Sequence, residues 1–392
     1  MDDRMNSTGF TLILAFLAFV SIPLLGAETP APGSIAGSLQ PFVDSHSLAG
    51  AVTLVASKDK VLSLEAVGFA DITAKEPMKT DSLFWIASMS KPMTGTALMM
   101  LVDEGKVNVD DPVEKYLPEF RGQMLAVEQD KDHVLLKHPA HVITVKNILS
   151  HTSGIPFMSR AEHKIDTYSL KEGALCWALT PLKFEPGSKY DYSNAGINTA
   201  GRIIEVVSGM PYEEFMAKRI FEPLGMKDTT FWPSEEQVKR IAKSYRPNKE
   251  KTGLDEIQID QLTYPLSDRK RGPSPAGGYF STAADMAVFC RMILNGGVHD
   301  GKRYLSEASL KQMTSKQTGE LPAGYGFGWA NDKNSGCFGH GGAYATDMQV
   351  DPKHGLVLIY MVQHAGYAGP DGGKILPTFR KVAVDTFGVA DH

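Results

Sequence analysis

The amino-acid sequence predicts an α+β fold of the α/β-sandwich kind, with an antiparallel sheet built from both ends of the chain. Three observations predict it: strand-like apolar runs occur towards both ends, a helical segment lies outside each set, and the middle is helical and loop-rich. We therefore expect a sheet flanked by terminal helices and interrupted by an inserted all-helical region. One domain is expected over residues 28–392, with a sheet lobe of about 34–85 and 275–392 and a helical lobe of about 86–274.

The N-terminal part of this fold is predicted to be a helix followed by a hairpin. Residues 34–46 have helical spacing despite Pro41, and two apolar runs at 49–57 and 61–68 are joined by a short charged segment. Paired apolar runs around a charged tip are typical of a β-hairpin.

The rest of the chain alternates between predicted helices and strands. In the centre, apolar residues have helical spacing over 90–104, 197–207 and 212–220, and residues 125–145 are typical of an exposed hairpin. Nearer the C-terminus, strand-like runs cover 327–330, 344–350 and 356–362, and a closing helix is predicted over 376–387.

The first 27 residues differ from the rest of the chain. Arg4 precedes an uncharged run from Phe10 to Leu25, and small residues follow up to Ala27. This layout predicts a secretory signal peptide over 1–27, and therefore a periplasmic or extracellular protein. A retained membrane anchor is the alternative, because the apolar run is only slightly short of a bilayer span.

Charge and composition exclude several classes of function. A formal net charge of −5 predicts no binding to nucleic acid, and no membrane association is expected after signal cleavage. No metal site is predicted, because the histidines at 133, 138, 141 and 151 lack ligand spacing and the three cysteines form no close pair. The oligomeric state stays open.

A serine and a lysine three residues apart are the strongest candidates for catalytic chemistry. Ser88 and Lys91 lie where a predicted helix begins, so Lys91 can reach the Ser88 hydroxyl on the same helical face. The free N–H groups and positive dipole end of a helix favour an anionic oxygen. A partly buried lysine with a lowered pKa can take the serine proton.

The Ser-x-x-Lys pattern is not specific by itself, because the chain contains two more copies. Ser57 and Lys60 fall on the predicted hairpin tip, whereas Ser267 and Lys270 fall in a charged, proline-flanked loop. Both copies are interpreted as solvated surface. Only Ser88 lies at the mouth of an apolar helix.

Two further polar motifs follow along the chain. Tyr192-x-Asn194 occurs once; a tyrosine can move protons when cations stabilise its phenolate, and an asparagine can bind a substrate amide. His340-Gly-Gly begins a strand-like stretch, where glycines allow close approach of the backbone to a ligand. Taken alone, each motif fits a structural role better than a catalytic one.

In this order, the three motifs resemble those of the serine β-lactamase and penicillin-binding protein superfamily. The class C β-lactamase-like branch, which includes D,D-carboxypeptidases, D-aminopeptidases and family VIII carboxylesterases, is the most similar. The phrases at 148–154, 184–187 and 276–282 support this resemblance. It implies a serine β-lactamase/transpeptidase-like fold, an acyl-enzyme on Ser88 and no cofactor.

The resemblance also implies roles for individual residues. Three groups carry them: Ser88, Lys91 and Tyr192 as catalytic residues, Asn194, His340, Gly341 and Gly342 in substrate binding, and the backbone N–H groups of Ser88 and Ala343 as the oxyanion hole. Ser88 would carry the acyl group. Which of Lys91 and Tyr192 takes the first proton is left open.

One departure from the pattern bears on the substrate. Class C β-lactamases usually have Lys-Thr-Gly at the third motif, whose cation binds the drug's carboxylate, whereas this chain has His340. We therefore expect an exported, esterase-like serine hydrolase that acts on a small-molecule ester, amide or β-lactam. The alternatives are D,D-peptidase, D-aminopeptidase or weak β-lactamase activity and, from another class, a non-catalytic module that binds β-lactams or peptidoglycan fragments.

Overall fold

The computed structural model describes residues 33–389, so the signal peptide predicted over 1–27 lies outside the described residues. The strands in the described part are β1 Gly50–Ala56, β2 Val61–Asp71, β3 Glu76–Pro77, β4 Phe84–Trp85, β5 Leu125–Gln129, β6 Val134–Lys137, β7 Ser244–Pro247, β8 Leu254–Ile257, β9 Phe280–Ser281, β10 Val298–His299, β11 Lys302–Arg303, β12 Ala330–Asn331, β13 Phe338–Gly341, β14 Asp347–Asp351 and β15 Leu356–Met361. The α-helices are α1 Ile35–Asp44, α2 Ser90–Asp103, α3 Val145–Leu149, α4 Leu170–Leu179, α5 Asn194–Ser208, α6 Tyr212–Met216, α7 Glu222–Leu224, α8 Glu235–Val238, α9 Ala283–Leu294, α10 Glu307–Thr314 and α11 Ile375–Phe387.

A seven-stranded antiparallel sheet is assembled from the two ends of the chain. Its strand order is β12-β13-β14-β15-β1-β2-β3, so the C-terminal strand β15 pairs with the N-terminal strand β1. In this pairing Val52 lies opposite Met361, and Leu54 lies opposite Ile359. The predicted fold class is confirmed.

Helices cover both faces of the sheet because its central strands are apolar on both sides. In β1, Val52 and Leu54 pack into the larger core with α2 and α9, whereas Ala51 and Val55 pack with α1 and α11. This alternation follows from the two-residue period of a strand. Burying each valine or leucine contributes about 1.5–3 kcal/mol, so the central strands hold the layers together.

The terminal helices and the first hairpin occupy their predicted positions. Helix α1 begins after Ser34, whose Oγ accepts the N–H of Gly37, and it tolerates Pro41 in its interior. Strands β1 and β2 form the hairpin predicted over 49–68. Helix α11 packs against α1 on the outer face of the sheet.

The strand predicted over 327–330 was wrong except at its last residue. Phe327 donates its backbone N–H to Met313 and Gly328 donates to Leu149, so neither residue pairs within the sheet. Gly328 also has φ +81°, outside the strand region. The chain therefore joins the sheet only at Ala330.

The strand predicted over 344–350 begins three residues later than expected, at Asp347. A turn precedes it, closed by the Ala345 N–H donating to the carbonyl of Gly342 at 3.1 Å. His340 consequently does not begin that strand. It lies in β13, a separate strand that pairs with β14.

The segment inserted between the two halves of the sheet is largely helical but also contains hairpins. Strands β5 and β6 form the exposed hairpin predicted over 125–145. A second hairpin, β7–β8, was not predicted, because its sequence is polar and lacks an apolar run. The Tyr245 N–H donates to Gln363 at 2.8 Å, which ties this hairpin to the end of β15. The insertion is therefore not all-helical, contrary to the prediction. The division of the chain into a sheet lobe and a helical lobe stays a prediction.

Residues 33–389 contain no membrane-spanning helix, no metal-ligand cluster and no disulfide. No helix in that range is both long and apolar enough to cross a membrane. The same range holds no group of three metal-ligating side chains placed around a common point. Its three cysteines, Cys176, Cys290 and Cys337, are all free thiols.

Candidate active site

Ser88 lies in a single 3-10 turn, Ala87–Met89, directly before α2. The N–H of Ile86 donates to the carbonyl of Tyr279 at 3.0 Å, which fixes the chain entering this turn. Ala87 has φ +45°, a left-handed backbone that costs a non-glycine residue about 1–2 kcal/mol. Such strain persists only where the surrounding structure imposes it. The turn therefore holds Ser88 firmly at the mouth of α2.

Lys91 is fully buried in the first turn of α2. Its Nζ lies 3.0 Å from Ser88 Oγ, 2.8 Å from Asn194 Oδ1 and 2.6 Å from the Ala276 carbonyl. None of these partners is negatively charged, and burial holds the pKa of Lys91 well below its usual value. A neutral amine has two N–H groups, which it can donate to Asn194 Oδ1 and to the Ala276 carbonyl. Its lone pair is then left for the Ser88 hydroxyl.

Tyr192 lies beside Lys91 and is hydrogen-bonded to Ser88. The Lys91 Nζ is 4.6 Å from the centre of the Tyr192 ring. Burial raises the pKa of Tyr192 far above its usual value, and a hydrogen bond with Ser88 opposes this rise only in part. The phenol therefore keeps its proton at neutral pH, which suits a proton donor better than a first base.

His340 is neutral, and two partners fix its tautomer. Its Nδ1 lies 2.7 Å from the Gly341 carbonyl and so carries the proton, whereas Nε2 accepts the Tyr325 hydroxyl at 3.0 Å. Tyr192 Oη is more distant from Nε2, at 3.5 Å. Burial, followed by the nearby Lys91, lowers the pKa of His340 to about 3. The third motif therefore supplies no cation at neutral pH.

The turn after β13 brings the second half of the predicted oxyanion hole next to Ser88. A Cβ on Gly342 would lie 2.1 Å from Thr346 Oγ1 and 2.6 Å from the Ile86 carbonyl, so only glycine allows this close approach. In the described part of the chain, the N–H of the next residue, Ala343, has no hydrogen-bond acceptor. It is thus free to bind an oxygen of a ligand.

A cavity of about 360 Å³ lies over Ser88. The residues that line it are Trp85, Ala87, Ser88, Phe157, Ile165, Tyr192, Asn194, Gln261, Gly277, Gly341, Gly342 and Ala343. The predicted site residues are therefore brought together, with Lys91 and His340 in contact with them from behind. No lining residue in the described part carries a formal charge.

One wall of this cavity was not predicted from the sequence. Ile165 and Gln261 come from two loops, joined by the Ile165 N–H donating to the Gln261 carbonyl at 3.2 Å. A buried ion pair between Asp166 and Arg271, 2.7 Å apart, fixes the same loops. No local motif marks these residues, because their proximity depends on how two distant loops fold.

Two further contacts of the site were not predicted from the sequence. The Tyr325 hydroxyl bonds to His340, and the Ala276 carbonyl bonds to Lys91. Ala276 begins a phrase that supported the family resemblance, so a signal existed at that position. Tyr325 lies in no motif. Its contact with His340 arises because the chain turns back between β12 and β13.

The two other Ser-x-x-Lys copies lie apart from this site, as predicted. Ser57 and Lys60 are bonded to each other at the tip of the β1–β2 hairpin. Ser267 and Lys270 are exposed. These two pairs therefore serve as matched controls for Ser88 and Lys91.

Three buried, neutral histidines are expected to make stability depend on pH. Burial lowers the pKa of His364 to about 4 and that of His340 to about 3, and the pKa of His151 lies well below its usual value. Each takes up a proton on unfolding at pH below about 6.5, the ordinary histidine value. Their contribution to the free energy of unfolding is therefore expected to fall as pH drops from about 6.5, by up to about 1.4 kcal/mol per pH unit for each.

Urea unfolding of the wild type and of His364→Gln at pH 7.5, 6 and 5 would measure this effect. The free energy of unfolding of the variant is expected to depend less steeply on pH. The difference corresponds to about one proton taken up on unfolding, because only one of the three groups is removed. Identical slopes in the two proteins would contradict the neutral state of His364.

Comparison with known proteins gives consistent matches over most of the chain. The family model described as Beta-lactamase matches residues 35–376. Protein Rv1367c of Mycobacterium tuberculosis is 34% identical, covering 83% of this chain and 88% of that protein. A Salmonella typhimurium protein with the provisional name D-alanyl-D-alanine carboxypeptidase is 28% identical, covering 74% and 72%. The structure of EstCE1, a hydrolase with promiscuous acyltransferase activity, aligns with a TM-score of 0.75 at 23% identity, covering 89% and 97%, a likeness of fold alone.

Proposed function

Because this chain belongs to the β-lactamase family of serine hydrolases, we propose that it hydrolyses uncharged carboxylic esters through an acyl group carried on Ser88. The observation that carries this proposal is the uncharged lining of the cavity over Ser88. A buried charge on a ligand needs an opposite charge or dedicated hydrogen bonds. An uncharged acyl group needs neither of these partners.

The state of His340 supports the same substrate class. A D-Ala-D-Ala peptide and most β-lactams present a carboxylate, which a cation at the third motif would bind. Burial keeps His340 neutral, and its Nε2 already accepts the Tyr325 hydroxyl, so that cation is missing at neutral pH. A D-aminopeptidase substrate presents an ammonium group instead, and the described cavity lining offers no carboxylate for it.

The geometry around Ser88 supports one order of proton transfers. Neutral Lys91 removes the proton of Ser88 as the serine oxygen attacks the ester carbonyl, because its lone pair faces that hydroxyl. Tyr192 keeps its proton and can donate it to the departing alkoxide. Water then attacks the acyl group and gives one proton to the Tyr192 phenolate. Lys91 returns its proton to Ser88 Oγ as the carboxylic acid leaves, which restores all three groups.

The tetrahedral intermediate of this reaction places negative charge on the former carbonyl oxygen. The N–H groups of Ser88 and Ala343 would bind that oxygen, since both residues line the cavity and the Ala343 N–H is free. Asn194 Oδ1 is occupied by Lys91, so the main role of Asn194 is to orient the base.

We also propose, from the sequence alone, that the protein is exported and that its signal peptide is cleaved near Ala27.

A substrate panel tests the proposed substrate class. We expect kcat/KM for uncharged p-nitrophenyl esters of short acids to exceed that for nitrocefin and for D-Ala-D-Ala peptides by about 10²-fold or more, the usual loss when a buried charge lacks its partner. The ester of a dicarboxylic acid, with a free carboxylate on the acyl group, is the matched control and is expected to be poor.

Two results would count against this proposal. Faster turnover of nitrocefin than of every ester would point to β-lactamase activity and to an unrecognised cation for its carboxylate. Release of D-alanine at rates comparable with ester hydrolysis would instead favour the D,D-peptidase alternative.

A further inference from the structure

His151 occupies a backbone position that favours glycine. It follows helix α3 with φ +59°, at the left-handed residue that ends many helices, and the next N–H, of Thr152, donates back to the Asn147 carbonyl at 2.9 Å. A non-glycine residue there costs free energy. The chain nevertheless has a large, fully buried ring at this position. The contacts of the imidazole itself must therefore offset this cost.

The contacts of His151 bracket Tyr192 on both sides. The Asp191 N–H donates to the His151 carbonyl at 2.9 Å, and the Ser193 N–H donates to the His151 Nδ1 at 3.1 Å. The two residues that flank Tyr192 are thus both anchored on one histidine. The second of these bonds depends on the side chain.

The imidazole ring also packs against the tyrosines of the site. Its centre lies 4.4 Å from the ring centre of Tyr192 and 4.6 Å from that of Tyr325, the residue bonded to His340. Nδ1 accepts a hydrogen bond, so the proton of the neutral ring is on Nε2, which has no hydrogen-bond partner among residues 33–389. His151 therefore has no direct bond to Ser88 or Lys91.

We propose that His151 is a positioning residue that holds the Tyr192 hydroxyl in reach of Ser88. It does so by accepting the N–H groups of Asp191 and Ser193, the two neighbours of Tyr192, and by packing against the Tyr192 ring. This inference rests on the proposed function, because it assigns Tyr192 a part in proton transfer. Without the imidazole, the segment 191–193 loses a backbone anchor and the phenol loses its packing partner. A displacement of about 1 Å is enough to slow proton transfer by about 10²-fold.

Two substitutions separate positioning from backbone strain. His151→Gly and His151→Asn both suit the left-handed backbone, but only asparagine keeps an acceptor near the position of Nδ1. We expect His151→Gly to lower kcat for an alkyl ester, whose alkoxide takes up the Tyr192 proton, by about 10²-fold with little change in KM. We expect His151→Asn to recover about tenfold or more of this loss.

The same substitutions in a Tyr192→Phe background test whether the effect passes through Tyr192. If His151 acts on the phenol, His151→Gly is expected to cost much less activity once the hydroxyl is gone. His364→Ala is the matched control, since it removes another buried imidazole that accepts a backbone N–H but contacts Ala49 and Tyr367 instead. Its melting temperature is expected to fall while kcat is kept.

Three results would overturn the proposal: unchanged kcat in His151→Gly, equal losses with and without the Tyr192 hydroxyl, or equal losses in the glycine and asparagine variants. If His151→Gly does not fold, His151→Ala takes its place, since alanine lacks the acceptor too. Labelling of Ser88 by a fluorophosphonate in the wild type tests the proposed function separately. Normal wild-type labelling together with unchanged kcat in His151→Gly would reject only the role of His151.

Discussion

Ser88→Ala is expected to lower kcat for the best ester by about 10⁴-fold or more, because no acyl-enzyme can form without the serine oxygen. The fold should persist, since Ser88 lies at the rim of a cavity and, within residues 33–389, its side chain bonds only to Lys91 and Tyr192. Turnover assays with melting curves measure both effects. Mass spectrometry of fluorophosphonate-treated protein should locate one adduct, on Ser88.

Ser57→Ala is the matched control for this experiment. Ser57 also stands three residues before a lysine, but at the hairpin tip, so its loss should leave kcat unchanged. An adduct on another residue, or activity surviving Ser88→Ala, would refute the assignment of the nucleophile. A wild type without turnover or adduct would favour the alternative of a non-catalytic binding module.

Lys91→Met is expected to lower kcat by about 10²–10⁴-fold, the range for loss of a general base. Methionine fits the buried space, but it offers no lone pair to the Ser88 hydroxyl. In the wild type, kcat/KM should fall as pH drops through the lowered pKa of Lys91, because protonation removes that lone pair. The pH profile of kcat/KM for Lys91→Met should lack this fall at low pH.

Lys91→Arg distinguishes a base from a fixed positive charge. Arginine stays protonated at all working pH values, so it cannot accept the serine proton. If it restored activity, Lys91 would act through its charge and the proposed proton path would be wrong. Lys60→Met, in the hairpin-tip copy of the motif, should behave as wild type.

The local parts of this structure were predictable from the sequence because their signals are local. Apolar periodicity marked α1, α2 and the β1–β2 hairpin within a few residues. The prediction of a strand at 327–330 was wrong because the hydrogen bonds of this segment are not local. Its residues are apolar, but the N–H groups of Phe327 and Gly328 bond to distant carbonyls rather than to a neighbouring strand.

The sequence by itself determined the fold class and the set of candidate catalytic residues, through three motifs in a characteristic order. Only the tertiary structure decided their chemical states. Burial lowers the pKa values of Lys91 and His340 because it removes the water that would stabilise their charges, and burial depends on contacts between distant segments. The same contacts bring His151 and Tyr325 to the site, although neither was predicted to act there. Motif spacing reports which side chains can meet, whereas protonation and cavity shape depend on everything packed around them.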